Sequence, residues 1–236
     1  MQRRNDRLFR RAADVLRREG IVPFCARAAR RLRESVIETN AADWYCIDLS
    51  KLRAEPHCPP DVEIDFNATD EALMWLRAIR TEFNWVGNET ELQVARTAGH
   101  VIGLGRVSGE KAGFIKIGVS SVYVTDYSRC VRVPANSAFL YDEFVHPSCR
   151  GRHLATLMMA RALNHVPRLG CQIAWGYVPR WNVPSRRVVA KCGFERASSV
   201  RYVRIGGIRM FTHNPETLMR RGVCGRGSTI PLKKDV

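Results

Sequence analysis

The chain has 236 residues, of which 45% are hydrophobic and 26% are charged, and its formal net charge is +15. That length suits one ordinary domain with flanking segments, and it is enough to bury a core without disulfide or metal support. The apolar runs fall well short of the ~20 residues that a membrane-spanning helix needs. The eight cysteines form no C-x-x-C pair and no Cys/His cluster at zinc-ligand spacing. Because the sequence also shows no secretory h-region, these cysteines predict packed thiols in a cytoplasmic protein without a metal.

The positive charge is concentrated at the two ends of the chain. Residues 1–35 contain eleven arginines and four acidic residues, a net charge of +7, and the segment from Met219 adds a further +4. The residues between these ends carry only +4. The sequence pI of about 10.0 therefore describes the ends and says little about the domain between them.

Residues 1–42 are predicted to form a basic helical arm. Apolar residues recur at helical spacing on one face, with arginines on the other; these apolar positions are Leu8, Ala12, Val15 and Leu16. Gly20 to Pro23 break this helix before a second basic helix at residues 26–33. Three interpretations stay open: a helix on an anionic membrane surface, a nucleic-acid-binding arm, or a solvated helix packed on the domain. Few aromatic residues lie among the arginines, which weakens the case for nucleic acid.

From residue 43 to residue 211 the chain alternates between strand and helix patterns. Hydrophobic periodicity predicts strands at residues 43–49 and 61–66, helices starting near Thr69 and Asn88, and strand hairpins at residues 101–119 and 122–133. Thr69 is the predicted N-cap of the first helix. Asn88 and Glu91 have the spacing of a capping box for the second helix, although residues 92–95 could instead be strand. From Thr212 onward, glycines and basic residues predict a disordered tail.

The most informative stretch runs from Phe139 to Phe194. An apolar strand leads into the turn Arg150-Gly151-Arg152, and an apolar helix begins at once with Leu154. The start of that helix should present unpaired backbone N–H groups, the positive end of the helix dipole and two guanidinium groups to one volume. This combination suits a pyrophosphate. A plain strand-to-helix turn with solvated arginines would show the same pattern.

A second strand and a second helix follow this turn. The strand runs from Cys171 to Val178, and Asn182 is placed to cap the next helix. Pro184 falls in the first helical turn, where proline is tolerated. Gly193 falls where a helix commonly ends in the left-handed conformation. The predicted order is therefore strand, basic turn, helix, strand, helix.

Together the two motifs resemble those of the GNAT family of acyl-CoA N-acyltransferases. The family pattern V-x-P-x-x-[RQ]-G-x-G-x-[GA] is matched by Val145, Pro147, Arg150, Gly151, His153 and Ala155, and the pattern N-x-x-[AS]…K-x-G-F by Asn182, Ser185, Lys191, Gly193 and Phe194. The resemblance covers residues 61–211 in layout and residues 141–194 in motif. It implies an α/β (α+β) fold over residues 43–211, with a mostly antiparallel central sheet flanked by helices, and acetyl-CoA or another acyl-CoA as co-substrate. The residues it assigns to the coenzyme are Phe144, Val145, Arg150, Gly151, Arg152, His153, Leu154, Ala155, Asn182 and Ser185.

Two positions depart from the family pattern. His153 stands where the family usually has the middle glycine of the turn, and that glycine lets the backbone approach phosphate closely. His153 would donate a ring N–H to the pyrophosphate, crowd it, or be solvated without a role. Val189 stands where many relatives carry the tyrosine that protonates the departing thiolate. The proton would then come from Tyr177, Ser185 or water, or the thiolate would leave unassisted.

In the family, the two strands of the motif region separate and the thioester lies in the gap. The resemblance then implies that the backbone N–H near Val145 stabilises a developing oxyanion, a role often worth ~3 kcal/mol. The reaction also needs a base. Asp142 and Glu143 interrupt an apolar strand beside the gap and point to opposite faces, so one of them should face the acceptor groove. Glu143 is slightly favoured; the alternative is that both carboxylates are paired with arginines.

The sequence thus predicts a cytoplasmic acyl-CoA-dependent N-acyltransferase, with acetyl as the expected group, acting by direct attack of an amine. Two other classes remain as alternatives. One is a catalytically weak CoA-binding module, favoured by Val189 and His153. The other is a membrane-surface or nucleic-acid adaptor that works through its basic arms, and the same arm would allow peripheral binding to an anionic membrane. The motifs do not describe the acceptor amine, although the basic arms weakly suggest an anionic small molecule.

Overall fold

The computed structural model describes residues 37–52, 57–83, 86–127, 129–205, 208–212 and 215–220. The helices predicted within residues 1–36 and the tail from residue 221 lie outside these ranges. The chain divides into two compact units. The larger comprises Ala41–Arg201 and Thr212–Val236, and the smaller comprises Met1–Asn40 and Tyr202–Phe211.

Ten strands and five α-helices lie within the described residues. The strands are β1 (Ile37–Asp48), β2 (Val62–Asp65), β3 (Val101–Val107), β4 (Glu110–Gly118), β5 (Ser121–Val124), β6 (Arg129–Arg132), β7 (Ser137–Val145), β8 (Ile173–Pro179), β9 (Glu195–Ile205) and β10 (Ile208–Phe211). The helices are α1 (Thr69–Ile79), α2 (Glu89–Thr97), α3 (Leu154–His165), α4 (Val183–Lys191) and α5 (Pro215–Arg220).

The larger unit is built on one mixed sheet. Its strands follow the order β9-β1-β8-β7-β4-β3-β2. β7 and β8 run parallel, while the pairs β1–β8, β4–β7, β3–β4 and β2–β3 are antiparallel. β5 and β6 form a separate antiparallel hairpin. In the smaller unit, β10 pairs antiparallel with the end of β9. The predicted α/β fold with a mostly antiparallel sheet and flanking helices is therefore confirmed.

Helices cover both faces of this sheet because side chains along its strands alternate between two hydrophobic clusters. Phe114 of β4 packs with Leu76 of α1 and Leu92 of α2, whereas the next residue, Ile115, packs with Met158 of α3. All five are almost fully buried. The buried face of α1 consists of Ala72, Leu73, Leu76 and Ile79. No helix of the described residues is long and apolar enough to cross a membrane.

Close contact between α3 and the sheet depends on glycine. A Cβ on Gly113 would lie 2.9 Å from Met158 Sδ and 2.6 Å from the carbonyl oxygen of Phe144. Both distances are shorter than real Cβ contacts, so a side chain here would push the helix away. Gly113 thus fixes the position of α3 and, with it, the basic turn at its N-terminus.

Three expectations about local structure need correction. Thr69 does not cap α1, because the N-cap residue is Ala68, and the Thr69 hydroxyl accepts the backbone N–H of Ile102 at 3.3 Å instead. The capping box at α2 is half formed: Asn88 Oδ1 accepts the N–H of Glu91 at 2.8 Å, but the Glu91 carboxylate binds Lys116. The helical alternative for residues 92–95 is the correct one.

The predicted boundaries at both ends of the domain also shift. β1 begins at Ile37, so residues 37–42 belong to a strand and not to the helical arm. The tail from Thr212 is not disordered throughout, because residues 215–220 form α5. Leu218 and Met219 of this helix are buried, and Glu216 accepts the backbone N–H of Arg132 at 3.1 Å. Two apolar residues and one carboxylate were too weak a pattern to show this helix in the sequence.

Candidate active site

The two parallel strands at the centre of the sheet separate part-way along their length. β7 and β8 are paired from Ser137 with Ile173 to Leu140 with Gly176. Beyond that pair, β7 continues to Val145 and β8 to Pro179 without pairing to each other. The predicted gap between the motif strands is therefore confirmed.

A β-bulge in β7 lies at the start of the gap. Asp142 has a positive φ of 48°, and the pairing of β7 with β4 shifts register between Phe114 and Lys116. The bulge adds one residue on β7, which turns Asp142 and Glu143 to different surroundings. Asp142 meets Lys116 of β4, whereas Glu143 lies close enough to Cys192, just after α4, to affect its thiol.

The backbone of β7 presents a donor to the gap. His146 N–H donates to the carbonyl of Ala112 at 2.8 Å, and Phe144 lies opposite Phe114 in the same register. Bonded and non-bonded pairs alternate along an antiparallel ladder. The N–H of Val145, between these two bonded residues, is therefore directed away from β4, to the side from which β8 has separated. This is the donor that an oxyanion in the gap requires.

A cavity of about 540 Å³ opens at the gap. Of the predicted site residues, it brings together Asp142, Glu143, Asn182 and Ser185. The remaining lining residues are Gly87, Asn88, Glu91, Val122, Tyr123, Val124, Thr125, Asp126, Phe139, Leu140, Tyr141, Met159, Gly176, Tyr177, Val178, Pro179, Trp181, Val189 and Phe194. The other predicted residues lie outside this lining.

The basic turn before α3 has the geometry of an anion site. Gly151 and His153 both have left-handed backbone conformations, with φ of 82° and 59°. His153 precedes the helix and makes no side-chain cap, so the first N–H groups of α3, from Leu154 and Ala155 onward, have no partner from that residue. His153 is exposed, and its positive φ shows why the family usually has glycine here.

The two arginines of the turn are exposed and lightly held. Arg150 Nε donates to the carbonyl of Val145 at 3.3 Å, and Arg152 lies 3.9 Å from the carboxylate of Asp61. Exposed ion pairs of this kind contribute little stability. Both guanidinium groups can therefore turn to a phosphate at small cost. Among the predicted coenzyme-binding residues, Phe144 has its ring buried against Phe114, so that only its backbone can contact a ligand.

The entry to α4 is built as predicted. Asn182 Oδ1 accepts the N–H of Ser185 at 3.2 Å, and Pro184 lies in the first turn. Gly193 ends the segment with a φ of 85°. Val189 is buried and lines the cavity with an apolar side chain. This helix therefore brings no hydroxyl to the cavity at the position where many relatives have tyrosine.

Asp142 is held in a buried ionic cluster that the sequence prediction missed. Lys116 is fully buried and contacts the carboxylates of both Glu91 and Asp142. Thr125 donates to the other oxygen of Glu91 at 3.2 Å. Burial and the neighbouring Asp142 raise the pKa of Glu91 to about 7, although Lys116 opposes this. The available sequence signal was Lys116 itself, a lysine within the otherwise apolar residues 112–118 of β4.

The environment of Glu143 differs from that of Asp142. Its Oε1 atom is buried and has no hydrogen-bond partner among the described residues. Burial raises the pKa of Glu143 to about 8. Burial, followed by the charge of Glu143, also raises the pKa of the Cys192 thiol to about 12, which makes this cysteine a poor nucleophile. Glu143 is thus the carboxyl of the pair that remains available for proton transfer.

Aromatic side chains form one wall of the cavity. The Tyr177 hydroxyl is buried without a hydrogen-bond partner among the described residues, and its ring packs on Trp44. Tyr141 shares a 2.6 Å hydrogen bond with Nδ1 of His100, whose Nε2 lies 2.7 Å from the carbonyl of Ser121. Because a carbonyl only accepts, Nε2 carries the proton, and Nδ1 accepts from Tyr141. Within the described residues, no group of three or more potential metal ligands is present.

The comparisons with known proteins agree with this geometry. The sequence model of the acetyltransferase (GNAT) family matches residues 61–194. Because this match spans more than half of the chain, the protein belongs to the GNAT acetyltransferase family, and its domain is that of an acyltransferase. No curated protein gives a significant match.

Solved structures share the fold at low sequence identity. A GCN5-related N-acetyltransferase from Kribbella flavida is 18% identical with a TM-score of 0.53, over 76% of this chain and 64% of that chain. A Drosophila protein is 17% identical with a TM-score of 0.52, over 78% and 58% respectively. A GCN5-related N-acetyltransferase from Sphaerobacter thermophilus is 15% identical with a TM-score of 0.51, over 76% and 57%. The chain thus spans about three fifths of the length of these solved chains.

Proposed function

We propose that this protein is an acyl-CoA-dependent N-acyltransferase that moves an acyl group, acetyl in the first instance, to an amine by direct attack. Family membership supports the reaction class. The observation that carries the proposal is Glu143, which lines the cavity beside the gap between β7 and β8 and whose buried Oε1 atom has no hydrogen-bond partner among the described residues. When it is ionised, a carboxylate oxygen in this state is available to accept a proton.

The basic turn fits the pyrophosphate of coenzyme A. Arg150, Arg152 and the first N–H groups of α3 supply positive charge and donors, while the left-handed Gly151 and His153 shape the turn around them. Asn182 and Ser185 line the cavity from the start of α4, where they can contact the thioester end of the coenzyme. When bound, the coenzyme supplies an activated acyl group. Its carbonyl oxygen would be polarised by the N–H of Val145.

In the proposed reaction, a C–N bond forms at the acyl carbon and the C–S bond of the thioester breaks. The attacking amine loses a proton to Glu143, directly or through water. A lysine-like amine of pKa ~10.4 costs about 4.6 kcal/mol to deprotonate at pH 7, so this acceptor matters. The raised pKa of Glu143, about 8, lies close to the operating pH, where general bases are most efficient. Asp142 is less suitable because Lys116 holds its carboxylate.

The thiolate needs a proton that α4 does not supply. Tyr177 is the best-placed donor, because its hydroxyl is buried without a hydrogen-bond partner among the described residues and lines the same cavity. Its position on β8, immediately after the last residue paired with β7, brings it to the start of the gap. Tyr177→Phe should therefore lower the rate while leaving coenzyme affinity intact, whereas Tyr123→Phe serves as a matched change on the same cavity wall.

The test is an acyl-CoA turnover screen across classes of amine, with mass detection of the acylated product. For any amine that reacts, the wild-type kcat/KM should rise with pH through about 8. Glu143→Gln should lower kcat by ~10²–10⁴ at pH 7, the usual contribution of a general base, and the defect should shrink at high pH. Glu89→Gln, on the exposed side of α2, is the control. Coenzyme binding without turnover of any amine would instead favour the CoA-binding module.

We also infer a reducing, cytoplasmic location. Six cysteines within the described residues carry free thiols: Cys46, Cys58, Cys130, Cys149, Cys171 and Cys192. Free thiols of this number persist most readily where glutathione and thioredoxin keep them reduced. Fractionation of cells that express the full-length chain tests this inference. Recovery in an oxidising compartment would contradict it, and recovery with membranes would support the surface role of the N-terminal arm.

A further inference from the structure

The lining of the active-site cavity is rich in acidic residues. Four carboxyl groups, Glu91, Asp126, Asp142 and Glu143, contribute to it, and none of the lining residues named above is lysine, arginine or histidine. Lys116 reaches Glu91 and Asp142 from β4 without lining the cavity itself. One lysine therefore balances only one of the two carboxylates that it contacts.

The protonation behaviour of these groups agrees with a missing positive charge. Glu91 faces Lys116, Asp142 and Thr125, and burial with the Asp142 charge raises its pKa to about 7. Glu143 faces Cys192, and burial raises its pKa to about 8. A cation placed among them would stabilise their ionised forms. The unpartnered Oε1 of Glu143 shows that the described residues do not supply that cation.

The walls of the cavity suit an alkylammonium group. Phe139, Tyr123, Tyr141 and Tyr177 line it, and Trp181 is 71% exposed there. Aromatic faces attract ammonium groups, and their edges pack against methylene chains. Aromatic walls of this kind therefore suit a ligand that has an ammonium group on a methylene chain.

We propose that the acceptor is a primary amine that carries a second positive charge, of the aliphatic diamine class. The attacking nitrogen must give up its proton, so it cannot balance the carboxylates at the moment of reaction. A second ammonium group on the same molecule stays charged and can pair with Glu91 and Asp142. The site then divides by charge, with the arginines of the basic turn binding the anionic coenzyme and the carboxylates binding the cationic acceptor. This inference rests on the proposed function.

The basic ends of the chain suggested an anionic acceptor. The cavity lining favours the opposite charge, because contacts in a partly buried site are screened by salt much less than charges in solvent. Residues 1–35 and the tail from residue 221 lie outside the described ranges, so the inference does not depend on them.

The test compares three four-carbon amines that differ in the group at the end of the chain away from the reacting amine. Diaminobutane has an ammonium group there, butylamine has a methyl group, and aminobutanoate has a carboxylate. Steady-state kinetics should give the highest kcat/KM for diaminobutane and the lowest for aminobutanoate. Diaminobutane should exceed butylamine by about tenfold or more, the effect of ~1.4 kcal/mol of differential binding. Calorimetry of the same three amines with the protein in the absence of acyl-CoA gives a second measure that needs no turnover.

Glu91→Gln should reduce the ratio of the kcat/KM values for diaminobutane and butylamine toward one, mainly through KM. Glu89→Gln, two residues earlier on the same helix and ion-paired with Arg80 at 2.7 Å outside the cavity, should leave the ratio unchanged. Equal or better use of aminobutanoate would overturn the inference while leaving the acyltransferase intact. If no amine is acylated, the proposed function fails, and the binding order of the three amines still decides the charge preference.

Discussion

Replacing Glu143 by glutamine should make the protein more stable in alkaline solution. Its Oε1 atom is buried without a hydrogen-bond partner among the described residues, and burial raises the pKa of the carboxyl from 4.5 to about 8. Between these two values the folded state holds a proton that the unfolded state has released. Stability is therefore fully present below pH 4.5, falls as pH rises through this window, and reaches its lower level above pH 8.

The size of the effect follows from the shift. Each pKa unit corresponds to 1.36 kcal/mol, so the ionisable carboxyl costs the folded state about 3 to 5 kcal/mol at pH 9 relative to pH 5. Glutamine has nearly the same shape and cannot ionise. Wild type and Glu143→Gln should thus have similar free energies of unfolding at pH 5, where both side chains are neutral in the folded state, and differ by several kcal/mol at pH 9.

Urea unfolding of both proteins at pH 5 and pH 9, without coenzyme, measures this difference. Other titrating groups act on both proteins alike and cancel in the comparison, while Cys192, with a pKa of about 12, titrates outside the window. Glu89→Gln is the exposed control and should follow the wild type. Parallel pH dependences for wild type and Glu143→Gln would refute the argument, because they would mean that Glu143 ionises freely against solvent.

Three further predictions test other parts of the structure. Arg150→Glu should abolish acetyl-CoA binding in calorimetry, because it removes a charged hydrogen bond worth ~1.5–3 kcal/mol and adds repulsion; unchanged affinity would disprove the anion site at the turn. Lys116→Met should lower the free energy of unfolding, measured with urea at pH 8, by about 3–5 kcal/mol, because two carboxylates lose their buried cation. This loss of stability should be smaller at pH 5, where Glu91 is protonated. An equal loss at both pH values would argue against this cause. Deleting residues 1–35 should remove sedimentation with anionic vesicles at low salt but keep acyl transfer; no vesicle binding by the full-length chain would end the membrane hypothesis.

The sequence revealed those parts of the site that depend on local conformation. The basic turn, the start of α4 and the glycine after it each need particular residue types within a few positions, so their pattern survives in a single sequence. Asn182 caps its helix and Gly193 has its positive φ for reasons that lie in their immediate neighbours. The separation of β7 and β8 followed from the family resemblance and is present.

The buried cluster escaped because it depends on contacts between distant elements. Lys116 on β4, Glu91 on α2 and Asp142 on β7 come together only through the fold. Glu91 also sits three residues after Asn88, and that local spacing pointed to a capping box. Asn88 does accept the backbone N–H of Glu91, but the Glu91 carboxylate binds Lys116 and not the N-cap backbone. An ion pair between buried groups is stronger than a hydrogen bond from a carboxylate at a solvent-exposed helix end.

Asp142 and Glu143 show how a small irregularity in the backbone assigns chemical roles. Adjacent residues on a regular strand would simply alternate between faces. The bulge at Asp142 brings that side chain to Lys116, while Glu143 stays buried without a comparable partner among the described residues. One carboxyl is thereby fixed as a charged member of an ionic cluster, and the other keeps a pKa near 8. Two neighbouring acids of similar intrinsic acidity are separated into a binding group and a proton acceptor by their surroundings alone.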